Sequence, residues 1–124
     1  MKTDNIIRDK SYAFALRVVN LHKYLQSKGV DRALSNQLLR SGTSVGANIE
    51  EALGAGSTKD FQFKLRIAYK EARESHFWLR LLHDSGYIAK HEFDSIISDN
   101  EEILKIIGSI QSTIRKKRTQ TLDS

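Results

Sequence analysis

The sequence contains no cysteine and no proline, and only one methionine and one tryptophan. Without cysteine there are no disulfides, no thiolate nucleophiles and no Cys-based zinc sites. Without proline no obligatory helix breaker interrupts the 124 residues, and the seven glycines are confined to a few positions, so long helices are the expected building unit. No apolar run approaches the roughly 20 residues that span a bilayer, and the opening MKTDNIIRDK lacks the apolar core of a secretory signal. A cytoplasmic protein with no membrane partner is expected. Acidic residues are in the minority, 15 against 20 basic ones, and the net charge of +5 favours polyanionic partners.

What is present is ordinary globular material, 40% hydrophobic and 28% charged, arranged with helical periodicity. From Asp4 to Lys28 the residues Ile7, Ser11, Phe14, Val18, Leu21 and Leu25 advance in alternating steps of four and three. After a stop at Lys28-Gly29 and an N-cap at Asp31, the rhythm resumes through Leu34, Leu38, Ser41, Val45, Asn48 and Ala52. It continues unbroken through the small-residue stretch RSGTSVGANIEEALGAG, which argues that this stretch is helix. The glycines of GAGST end the second helix, and Ser57 with Asp60 opens the third, whose seam is Phe61, Leu65, Ala68, Ala72, Ser75, Leu79 and Leu82. Beyond Gly86 a fourth helix carries Phe93, Ile97, Asn100, Leu104, Ile107, Ile110 and Ile114 to about Arg118. Four helices with short connections predict an all-α fold, an antiparallel up-down-up-down four-helix bundle. Residues 1–118 form its single domain and residues 119–124 a fraying tail.

Gly42 and Gly46 cost the second helix on the order of 2 kcal/mol, so a close helix approach must offset them, either within the chain or between subunits. Beside its core seam the third helix carries Phe63, Ile67, Phe77, Trp78 and Leu81, widening its apolar arc to roughly 200°. One bundle seam does not bury so wide an arc, and a homo-oligomer is the preferred explanation. Arg40, Asn48 and Glu51 are read as structural polar groups: Asn48 falls on the seam, and Glu51 has Arg40 or a base on another helix as its partner.

On another face of the third helix Lys59, Gln62, Arg66, Tyr69, Arg73, His76, Arg80 and His83 recur at spacings of three and four, a stripe roughly 36 Å long. The sequence RKKR, Arg115, Lys116, Lys117 and Arg118, adds a second basic cluster. Cations spaced along a rigid support, with Tyr69 and histidines able to stack, suit phosphate binding, which makes RNA or DNA the candidate partner. A solvated helix face, or pairing with acids of a neighbouring subunit, accounts for the same stripe, and both alternatives stand at this point.

Enzymatic signatures are missing. None of His22, His76, His83 and His91 has Glu three residues before it, as a di-iron bundle requires, and GAGSTKD lacks the spacing and the preceding strand of a phosphate loop. No catalytic residue, metal or cofactor is assigned. The expected function is a non-enzymatic helical protein that binds RNA or DNA; the alternative is an oligomeric scaffold without nucleic acid.

The segments QLLRSGTSVGANIEEALG and FQFKLRIAYKEARESHFWLRLLHDSGYI resemble the bacterial four-helix-bundle proteins related to those encoded within 23S ribosomal RNA intervening sequences. Gln37, Arg40, Ser44, Ala47, Asn48, Ile49 and Glu51 match that family's Ala-Asn-Ile-x-Glu-Gly region, and Phe63, Leu65, Ala68 and Glu71 match its following helix. Gly46 stands where the family usually has proline, and Ala52 where it has glycine. The resemblance implies a homopentameric ring of bundles and no catalytic reaction. For relatives in a retroelement setting it also implies binding of nucleic acid and of a reverse transcriptase.

Overall fold

The computed structural model describes the backbone of residues 2–123 and the side-chain surroundings of residues 6–120. Four helices follow one another: α1 (Lys2–Ser27), α2 (Arg32–Leu53), α3 (Thr58–Asp84) and α4 (Lys90–Asp123). The punctuation is local chemistry. Gly29 and Gly86 take up the left-handed backbone, with φ of 77° and 86°, that a side chain would oppose. Each sits in a Schellman closure, in which the N–H groups of Val30 and Tyr87 donate to the carbonyls of Leu25 and Leu82. The Asp31 carboxylate accepts from the N–H of Ala33 at 2.8 Å and caps α2, while Ser57 Oγ accepts from the N–H of Asp60 at 3.1 Å and caps α3.

Cross-helix contacts fix the direction of each neighbour. Gly42 lies against Val18 and Gly46 against Ser11, so α2 descends along α1. Ser41 meets Ser75 and Glu51 meets Lys64, so α3 runs opposite to α2. Ala72 meets Asn100 and His83 stacks on Phe93, which sets α4 opposite to α3. Arg17 reaches Ser95 and Lys10 reaches Glu102, which closes the ring of four helices with α4 opposite to α1. The expected antiparallel up-down-up-down bundle is the observed arrangement.

The core contains every predicted residue of the α1 seam and, from α3, all but Phe61, which is half-buried. Two seams are rotated. On α2, Ser35 and Ile49 are buried where Leu34 and Asn48 were expected; those two are half-buried. On α4 the buried row is Ile96, Asn100, Ile103 and Ile107, while Ile97 and Leu104 lie half-buried beside it. The helix also continues to Asp123 instead of ending at Arg118, because TQTLD contains neither glycine nor proline.

The small residues of α2 serve the contact with α1. A Cβ on Gly42 would lie 2.7 Å from Val18 Cγ2, and one on Gly46 would lie 3.3 Å from the carbonyl oxygen of Ser11. Of the two explanations for the slim helix, packing within the chain applies to both glycines.

Candidate nucleic-acid interface

The basic stripe occupies the flank of α3 that borders α4, away from the flank that meets α2. Lys59, Arg66, Arg73 and Arg80 are exposed, and Tyr69, His76 and His83 are half-buried between them. Tyr69, Arg73 and His76 line a groove of about 750 Å³, whose α4 wall comprises Ser98, Glu101, Glu102, Leu104 and Lys105. His76 is bonded on both sides: Arg80 Nε donates to Nδ1 at 3.1 Å, and Nε2 stands 3.1 Å from Glu101 Oε2. His83 takes a structural role, stacked on Phe93 with ring centroids 4.3 Å apart.

The cations sort into two groups. Arg17 binds Asp99 at 2.7 Å and Glu92 at 3.0 Å, holding α1 to α4. Burial weighs against its charge, but the hydrogen bonds of Asp99 and Glu92 outweigh that and raise its pKa above the ordinary guanidinium value. Arg40 bridges from α2 to Glu71 and Glu74 on α3, and Glu74 also accepts from the indole Nε1 of Trp78 at 2.9 Å. Lys64 binds Glu51 at 2.7 Å and Lys10 binds Glu102 at 2.8 Å. In both pairs the carboxylate's hydrogen bond, followed by its charge, raises the ammonium pKa above 10.5. These are fasteners between helices. By contrast, Lys59, Arg66, Arg73 and Lys105 form no ion pair among the described residues.

Antiparallel register joins the two basic clusters. The α3–α4 contacts pair residue 83 with 93 and residue 76 with 101, and the same register sets Lys59 level with the region around Lys117. Residues 115 to 118 are all exposed. Acids are interspersed beside the middle of the stripe, where Glu101 and Glu102 line the groove, and both are engaged by partners.

The polar residues expected to be structural have the following partners. Arg40 and Glu51 link α2 to α3, and Asn48 Nδ2 donates to the Ser44 carbonyl at 2.8 Å within its own helix. Of the apolar set, Phe63 and Phe77 are exposed and Ile67 and Trp78 half-buried, with Trp78 packed against the core and edge-on to Phe77 at 4.9 Å. Sequence reasoning did not identify Glu101, Ser98 and Lys105 as neighbours of the stripe, or the exposed Tyr12 and Leu16 on α1. The groove partners could be found only from the α3–α4 register. Tyr12 and Leu16 carried a direct signal, since both lie off the α1 seam.

Among the described residues no group of three or more His, Cys, Asp or Glu is placed to hold a metal ion, and no helix is long and apolar enough to cross a membrane. The fold and site define a class: an all-helical bundle with one flank of unpaired cations and no metal-binding cluster among the described residues. The chain belongs to the 23S rRNA-intervening sequence protein family, whose model matches residues 3–109. It is similar to a solved protein of unknown function from the S23 ribosomal protein family of Bacteroides thetaiotaomicron, with 48% identity and a TM-score of 0.86, covering 89% of this chain and 98% of that one. No curated protein matches the chain.

Proposed function

We propose that this protein is a non-enzymatic, self-associating bundle that binds RNA or DNA through phosphate contacts along the α3 flank and the basic end of α4. The observation that carries the reading is the division among the cations. Arg17 and Arg40 are committed to carboxylates on neighbouring helices, whereas Lys59, Arg66 and Arg73 form one exposed edge with no ion pair among the described residues. A guanidinium without a carboxylate partner on a rigid helix is prepared for a phosphate oxygen. Contacts of this kind position a polyanion without reading its sequence. The test is binding of mixed-sequence RNA and DNA across a salt series. Affinity should fall steeply as salt rises and vary little with sequence, and absence of binding at low salt would leave the scaffold alternative.

Self-association rests on a separate observation. Phe63 and Phe77 on α3 are 53% and 46% exposed, and Tyr12 and Leu16 on α1 are 64% and 50% exposed, on helices that stand diagonally across the bundle. Two apolar faces on opposite helices suit a head-to-tail contact between copies, which closes into a ring when the rotation allows; the family resemblance implies five copies. Light scattering at micromolar concentration tests this, and a monomeric mass contradicts it.

A further inference from the structure

We propose that His76 gates Arg80, so that acidification releases this arginine to the polyanion. The inference rests on the phosphate-binding reading of the α3 flank and adds to it a means of regulation. An arginine keeps its protons at any pH that proteins tolerate, so Arg80 Nε is always a donor. Its 3.1 Å contact therefore requires His76 Nδ1 to accept, and the single ring proton of the neutral imidazole then sits on Nε2, where it donates to Glu101 Oε2 at 3.1 Å. The two contacts are mutually consistent for the neutral ring only.

Protonation places a hydrogen on Nδ1, directly against the Nε–H of Arg80. Two donors and two like charges then face each other, while the bond to Glu101 becomes charge-assisted and holds the ring in place. Arg80 is exposed and has no carboxylate partner among the described residues, so its side chain is free to swing away. The remaining groups around the ring reinforce the direction. Arg73 on α3 and Lys105 on α4 repel a released guanidinium from the groove; Glu102 is occupied by Lys10; Tyr69 and Ser98 are uncharged.

Two experiments test it. In the first, the ring nitrogens of His76 are observed by ¹⁵N NMR in the unliganded protein at pH 8. A neutral ring with its proton on Nε2 is expected, and a proton on Nδ1 overturns the gate whatever the protein binds. In the second, anisotropy of a labelled mixed-sequence single-stranded RNA is followed across a salt series at pH 8 and pH 5.5 for the unaltered protein, Arg80→Gln and His76→Gln. The unaltered protein should show a slope steeper by about 0.7 at pH 5.5, as one added phosphate contact requires. That increment should be missing in Arg80→Gln and in His76→Gln, while His22, His83 and His91 contribute alike to all three proteins. An Arg80→Gln variant that retains the whole increment overturns the gate and leaves the phosphate reading standing. Absence of binding at either pH and low salt overturns the phosphate reading, and the gate with it.

Discussion

At the residue scale, Gly42 and Gly46 share a helix and a neighbour but not a consequence. A methyl group at Gly42 would press on both γ-carbons of Val18, at 2.7 and 2.8 Å, and a β-branched side chain has no alternative rotamer to offer cheaply. At Gly46 the nearest atom is a carbonyl oxygen at 3.3 Å, which a slight shift relieves. Alanine gains about 1 kcal/mol of helix propensity at either site, against overpacking of about 1–3 kcal/mol. Gly46→Ala should therefore stay within about 1 kcal/mol of the parent in urea denaturation, and Gly42→Ala should be clearly less stable; equal midpoints would contradict the packing described. That both glycines needed a close neighbour was legible from the sequence. Which helix supplied it was not, because a small residue records that something is near without recording what.

Asn100 is the reverse case. Its Nδ2 donates to the Ala72 carbonyl at 3.0 Å, but Oδ1 is fully buried with no hydrogen-bond partner among the described residues, at a position with no solvent exposure. An orphaned buried polar atom costs about 1–3 kcal/mol, and the Ala72 carbonyl lies inside α3, where the helix ladder supplies it a backbone N–H, so an apolar side chain of similar shape removes the orphan without leaving that carbonyl unpaired. Asn100→Leu should hold or raise the melting temperature, whereas Asn100→Asp, which buries a carboxylate, should lower it. A fall with leucine as large as that with aspartate would show that the amide is needed for its own bonding.

At the scale of elements, periodicity defined four helices, and their core rows most securely where one long apolar row outweighed the rest. α1 offers such a row, and all six of its predicted residues are buried, while Tyr12 and Leu16 lie off it and stay exposed. α4 offers two adjacent rows, Ile96 with Ile103 and Ile97 with Leu104, and only docking against α3 selects the first. The same limit hid the ion pairs: Lys64, Glu51, Lys10 and Glu102 look like ordinary surface charges until the helices are in register. Because the folded state raises the pKa of Lys10 and Lys64, their stabilisation is complete below the unfolded value and is lost as pH rises through the higher folded value, above 10.5. Melting temperature should decline from pH 10 to pH 11.5, and the Lys10→Gln/Lys64→Gln variant should decline less. Parallel curves for the two proteins would remove these pairs from the account.

At the scale of the whole molecule, the bundle presents two kinds of surface that its own core does not use. The apolar faces of α1 and α3 suit other copies, and replacing Phe63 and Phe77 by serine should reduce the assembled mass without lowering helicity, as read by light scattering and circular dichroism. The stripe of cations was legible from α3 alone, as was the basic cluster at the end of α4. Their continuity was not, since it depends on antiparallel register between residues nearly 60 positions apart in sequence. The most direct test of the central claim is the salt dependence of polynucleotide affinity in the Arg66→Gln/Arg73→Gln variant, once helicity and assembled mass are shown to match the parent. On duplex DNA the slope of log affinity against log salt should flatten by up to about 1.8, equally for unrelated sequences. A variant with unchanged affinity and unchanged slope would contradict phosphate binding at this flank.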